Sequence, residues 1–174
     1  MTMEKGLLAS IGLTEAAGLL GVPPTRDALR SGWYESLRKP AFAPPEAVYG
    51  PAWTLLYALQ GYALRELWRS RVPREGRQAL AAFAAQIALN VAWSKVFFGR
   101  RSTRAGLVVA VALLVAVLLT IERSSKVSTA ATAAMVPNAL WVAFATVLTG
   151  SIDYLEHGGQ RIEGHRGLVS NQHS

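Results

Sequence analysis

From Ala105 to Ile121 the chain reads AGLVVAVALLVAVLLTI, an uncharged run bracketed by Arg104 and by Glu122-Arg123. As a helix it would rise about 26 Å, close to the hydrocarbon thickness of a bilayer. It is apolar on every face, as a lipid-exposed helix is. Four further segments are long enough to span but carry polar positions: Gly6 to Val22, Val48 to Leu67, Ala79 to Phe98 and Thr129 to Ile152. An amide in hydrocarbon is costly unless bonded, so each of these four should turn one face inward. The pattern predicts an all-α integral membrane protein, a bundle of five transmembrane helices over residues 1–153. A polar, disordered tail is expected over 154–174, because EHGGQRIEGHRGLVSNQHS has too little apolar surface to offset the entropy of ordering.

The first segment follows Lys5 and so has the outline of a signal peptide. Glu15 in its middle and the lack of a small-x-small cleavage site speak for a retained span. Glu15 must then face protein or water, either as a functional group or as a buried carboxyl bonded to a neighbouring helix. The linkers are RSRVPREGRQ, GRRSTR and ERSSKVS. Basic residues divide almost evenly between the two sides that five spans would define, so the positive-inside rule selects no orientation.

Polar and aromatic residues of three spans recur at one helical spacing. Trp53, Tyr57, Gln60 and Leu64 fall at i, i+4, i+7 and i+11, as do Gln86, Asn90, Trp93 and Phe97. Asn138, Trp141, Ala145 and Thr149 nearly repeat it. Residues so spaced share a helix face. One reading is interhelical bonding, with amides joined across helices and indoles filling the core. The other is a pocket with aromatic walls and a few fixed polar groups, suited to a flat, mostly apolar ligand. Ala81, Ala85, Ala88 and Ala92 form a small-residue ridge, set about 140° around the helix from the Gln86 face. Such a ridge lets backbones approach closely, which suits a helix neighbour or a second protomer in a homodimer.

Composition narrows the alternatives. Hydrophobic residues make up 51% and charged residues 17% of the chain, against about 25% charged in soluble domains. The net charge of +7 lies in short clusters between apolar runs, the distribution of loops flanking membrane spans rather than of a nucleic-acid-binding face. With no Cys there is no disulfide framework and no thiolate chemistry. The three His residues (157, 165 and 173) all fall in the expected tail without ligand spacing, so no metal site is predicted.

Three stretches together resemble the TspO/MBR family of tryptophan-rich sensory and translocator proteins: WYESLRKPAFAPPEAVYGPAWTLLY, AQIALNVAWSKVFFG and VPNALWVAFATVL. The resemblance covers residues 6 to 153 in the family's order and spacing. It implies a five-helix membrane bundle, usually dimeric, that binds porphyrins and other tetrapyrroles, and in many members sterols and aromatic drugs. Family pocket residues carry over onto Trp33 and Tyr34, Trp53 and Tyr57, Gln86 and Asn90, and Trp141 and Ala145. No cofactor is required; a porphyrin, protoporphyrin IX or haem-like, enters as ligand. Pro40, Pro44, Pro45 and Pro51 restrict the first loop to one extended path, a preordered lid that loses little entropy on binding. Pro44 or Pro45 can also start the second helix. Arg38 and Lys39 stand beside this lid, either as interfacial anchors or where a porphyrin propionate would emerge.

The sequence departs from the family pattern at three positions. Lys95 stands where a proline follows W-[ST], Asn138 where a Tyr follows Pro137, and Thr149 where an Asn follows Leu148. The weak sterol pattern fails by one residue between Tyr154 and Arg161. The reading is a multi-pass protein of a bacterial, archaeal or organelle membrane that handles, transports or senses tetrapyrroles. Two alternatives stand beside it. Some family members promote light-dependent oxidative breakdown of bound protoporphyrin, which would here engage Trp53 and Trp141; conventional catalysis is not indicated, since the spans hold no His, no Cys and no nucleophile–base pair. The other is a structural membrane partner with a vestigial pocket.

Overall fold

The chain folds through a succession of helices in a computed structural model that describes residues 2–170, with side chains described for 4–158. Among the described residues there is no strand. The first apolar segment forms α1 (Thr2–Leu19), which ends in a tight turn at Leu20-Gly21. The chain then re-enters helix as α2 (Val22–Arg30), begun by Pro23 and Pro24, whose missing N–H groups fall in the unpaired first turn. A one-turn α3 (Trp33–Ser36) follows. These two helices occupy a stretch from which only a loop was expected. The proline-bounded loop runs to a short 3₁₀ turn, Glu46–Val48, capped by Pro45. Pro45 thus stands just outside helical structure, and Pro51 sits in the first turn of α4 (Tyr49–Arg69).

The third segment forms α5 (Arg74–Ser94), which continues into a π-helical turn, Lys95–Gly99. The uncharged run lies inside α6 (Thr103–Ser125), whose N-cap Ser102 accepts a hydrogen bond from the Ala105 amide. The last helix, α7 (Thr129–Ser170), passes through Pro137 and does not stop at Ile152. No proline follows to end it, and the first turn beyond Ile152 is built into the bundle. There Asp153 accepts a 2.6 Å hydrogen bond from Thr103 and Glu156 accepts one of 2.6 Å from the Arg38 amide. Of the tail expected over 154–174, residues 171–174 lie outside the described residues, as do the side chains of His165 and His173.

Four helical stretches are long and apolar enough to cross a membrane: Glu4–Arg30, Arg74–Gly99, Thr103–Ser125 and Thr129–Gly158. They describe a multi-pass membrane protein. α4 falls short of that mark in composition, since Gln60, Arg65, Glu66 and Arg69 dilute its apolar content. α4 packs between α1 and α7, α7 on α6, and α6 on α5, so the order around the bundle is α1, α4, α7, α6, α5. α5 and α1 meet only lightly.

Three layers stack along the bundle, and each inner helix contributes to all three in order. At one end Ala63 and Leu67 of α4, Phe83 of α5, Leu113 and Val117 of α6 and Met135 of α7 make a dry core. One turn along lie Gln60, Gln86 and Asn138, each fully buried. Beyond them α4, α5 and α7 present Trp53, Trp93 and Trp141 toward the loop end. There Tyr34, Phe97, Leu148 and Ile152 form a second core under the lid.

Candidate ligand-binding site

The helical stripes divide between two tasks. Gln86 Nε2 donates to Gln60 Oε1 at 2.9 Å, and Gln60 Nε2 donates to Asn138 Oδ1 at 3.3 Å. These amides join α5, α4 and α7 across the bundle axis. They are interhelical contacts, and Gln86 does not reach a cavity wall. One turn nearer the loops the same three faces part around a cavity of about 470 Å³. Trp53 and Tyr57 of α4 line it, with Asn90, Trp93 and Phe97 from the α5 side and Trp141, Ala145 and Thr149 of α7.

The aromatic walls hold one another in place. Trp53 stacks on Tyr57 at a centroid distance of 5.6 Å and meets Trp141 edge-on at 6.2 Å. Trp93 lies parallel to Phe97, 5.2 Å away with 9° between planes. The π turn sets this wall: the Arg100 amide bonds to Lys95 O at 3.1 Å, spanning five residues. Lys95 itself faces outward, so it opens the π turn without entering the cavity. Phe97 also depends on Gly106 of α6, where a Cβ would come within 2.6 Å of its ring.

The Tyr57 hydroxyl donates to Asn90 Oδ1 at 3.4 Å. Its ring lies against Gly18 of α1, where a Cβ would stand 2.3 Å from Cε2. Among the described residues, the buried Asn90 Nδ2 and Trp93 Nε1 have no acceptor. Two hydrogen-bond donors of the α5 wall are therefore unclaimed by protein, as are Gln86 Oε1 and Asn138 Nδ2 in the amide layer. Such groups in an apolar interior favour a polar partner over none.

The lid comes from α3 and the loop after it. Tyr34 is buried and lines the cavity, its hydroxyl 3.3 Å from that of Tyr49. Burial, and then the bond with Tyr49, pushes the Tyr34 phenol above its ordinary range, so it stays protonated. Trp33 does not touch the cavity; it backs the wall, edge-on to Phe97 at 5.5 Å. Arg38 and Lys39 do not line the cavity either. Lys39 bonds the Glu35 carbonyl at 3.2 Å and lies 4.6 Å over the Tyr34 ring. The lid is thus tied both to itself and, through Glu156, to α7.

The stripes missed the α1–α2 wall. Glu15, Gly18, Val22 and Arg26 all face the cavity, as do Glu46, Tyr49 and Ser94. The signal for that wall was Glu15, an ionisable residue in an otherwise apolar span. The ridge residues Ala81, Ala85 and Ala88 lie exposed on the far side of α5, and Ala92 is half-buried.

Comparison with known proteins agrees with this architecture. The model of the TspO/MBR family matches residues 10–155. The chain is 39% identical over 146 residues to the tryptophan-rich protein TspO of Archaeoglobus fulgidus, covering 84% of this chain and 94% of the relative. It is 33% identical over 145 residues to the translocator protein of Sus scrofa, covering 81% and 86% respectively. It is 36% identical over 130 residues to the tryptophan-rich sensory protein of Cereibacter sphaeroides, covering 74% and 80%. With a family match over most of its length and relatives this similar over four-fifths or more of their chains, the protein belongs to the TspO/MBR family.

Proposed function

We propose that this protein binds a flat, mostly apolar ligand of the tetrapyrrole class, such as protoporphyrin IX, and serves in its handling, transport or sensing. The observation that carries the reading is the cavity itself. Indole and phenyl faces from three helices surround about 470 Å³, and the few polar groups present are fixed in position. Aromatic walls suit a planar π-system, while fixed donors orient it. The names of the relatives, translocator and sensory protein, fit a role in moving or reporting such a ligand.

In this reading α4 completes a five-span bundle. It matches α5 in length, 21 residues each, and its polar residues Gln60 and Glu66 turn away from lipid. The exposed alanine ridge of α5 is the protomer contact of a homodimer, since small residues let two helices approach closely.

A second reading, light-driven oxidation of the bound porphyrin with dissolved dioxygen as the oxidant, is favoured by the edge contact of Trp53 with Trp141 on the cavity wall. Titration of the purified protein with protoporphyrin IX, in dark and in light, separates the two. Binding alone predicts that Trp53→Phe and Trp141→Phe keep affinity within about tenfold and that light produces nothing specific. Photochemistry predicts wild-type conversion under light and slow conversion by the Phe variants at retained affinity. Failure of wild type to bind protoporphyrin would refute both and leave a structural role with a vestigial pocket.

A further inference from the structure

Three charged side chains line the cavity: Glu15, Arg26 and Glu46. Arg26 on α2 and Glu46 before α4 are exposed and belong to the loop-end segments. Glu15 differs from both. It is half-buried and sits one helical turn before α1 ends at Leu19, about 6 Å farther into the bundle. Gly18 and Val22 follow it on the cavity wall, so the carboxyl belongs to the inward side of the α1–α2 wall.

Among the described residues Glu15 has no ion-pair partner, and no hydrogen bond to it is formed. The Tyr57 hydroxyl, whose ring lies against Gly18 on the same wall, already donates to Asn90. A carboxylate can only accept hydrogen bonds, and isolating one within a membrane protein is costly. The α5 wall has the opposite character, with the unclaimed donors Asn90 Nδ2 and Trp93 Nε1. The cavity is therefore polarised, with an acceptor on the α1 wall and donors on the α5 wall.

We infer that Glu15 is the charge-selecting residue of this cavity. It favours flat apolar ligands that carry a cationic or hydrogen-bond-donating group on the edge facing α1, and it disfavours a carboxylate there. The inference rests on the reading of the cavity as a binding site for flat molecules. For a tetrapyrrole bearing carboxylates, it turns those groups away from α1 and toward Arg26 at the loop end.

The test uses the full chain in nonionic detergent and two tricyclic fluorescent probes of similar shape, 9-aminoacridine as the cation and anthracene-9-carboxylate as the anion. Affinities are measured for wild type, Glu15→Gln, Glu15→Ala and Ala145→Trp, the last filling the cavity from α7. Size-exclusion profile and helical circular dichroism establish that each variant is folded. Comparing the cation-to-anion affinity ratio between wild type and variants cancels partition of the probes into the micelle. The expected result is a ratio at least about tenfold higher in wild type than in either Glu15 variant, with Ala145→Trp weakening both probes. An unchanged ratio in both Glu15 variants, with Ala145→Trp still weakening both probes, overturns the role of Glu15 and leaves the cavity as the site. If Ala145→Trp leaves both affinities intact, the cavity is not the site, and the selecting role falls with it.

Discussion

Replacing Gln60 by Leu tests whether the buried amides hold the bundle or serve the ligand. Gln60 makes two bonds, accepting from Gln86 at 2.9 Å and donating to Asn138 at 3.3 Å, and all three residues are 0% exposed. Leucine is of similar size, so the variant creates little cavity. It strands Gln86 Nε2 and Asn138 Oδ1 in an apolar interior. Each stranded buried group costs roughly 1–3 kcal/mol, while interhelical hydrogen bonds in membranes average only about 0.6 kcal/mol by double-mutant cycles. The second bond is long, which places the expected loss at about 2–3 kcal/mol. The companion variant, Gln60→Leu with Gln86→Leu and Asn138→Leu, removes every stranded group. It should be more stable than Gln60→Leu alone, because replacing all partners by apolar side chains is nearly neutral. The measurement is unfolding in mixed detergent followed by circular dichroism, with protoporphyrin affinity measured on the same samples. Affinity should change less than about threefold, under 1 kcal/mol, since none of the three residues reaches the cavity wall. Gln60→Leu within about 0.5 kcal/mol of wild type, inside the range of ordinary surface substitutions, or a triple variant less stable than the single one, would refute the reasoning.

Two further outcomes follow from particular contacts. Gly18→Ala sets a methyl group 2.3 Å from the Tyr57 ring, which Trp53 and Asn90 keep from moving aside; overpacking of this kind costs about 1–3 kcal/mol, so thermal stability in detergent and porphyrin affinity should fall together. Ala88→Leu places a bulky group on the exposed ridge of α5, and a homodimer built on that ridge should dissociate in light-scattering mass measurements while the monomer keeps its helical signal.

The sequence alone determined that the chain is helical and where its long apolar segments lie, though not the short α2 and α3, because bilayer thickness and the cost of bare amides constrain composition only span by span. It also determined that α4, α5 and α7 each carry one polar–aromatic face, since helical spacing is a local property. Even the TspO/MBR resemblance was legible in the order of WY, the paired prolines and FFG. What spacing could not reveal was depth along the bundle. Gln86 and Asn90 belong to one stripe, yet Gln86 bonds across helices and Asn90 lines the cavity, because α5 and α7 run together and α4 runs against them in a register that brings Gln60, Gln86 and Asn138 to one level. Trp33 and Tyr34 are adjacent in the chain, but α3 turns Tyr34 into the cavity and sets Trp33 behind Phe97. The α1–α2 wall likewise exists only once the chain turns at Gly21 and lays Glu15, Gly18 and Arg26 beside residues from the far end of the sequence. Helix formation depends on neighbours in sequence, whereas the division of one helix face between glue and pocket depends on what the other helices place opposite it. Only the tertiary structure decided that.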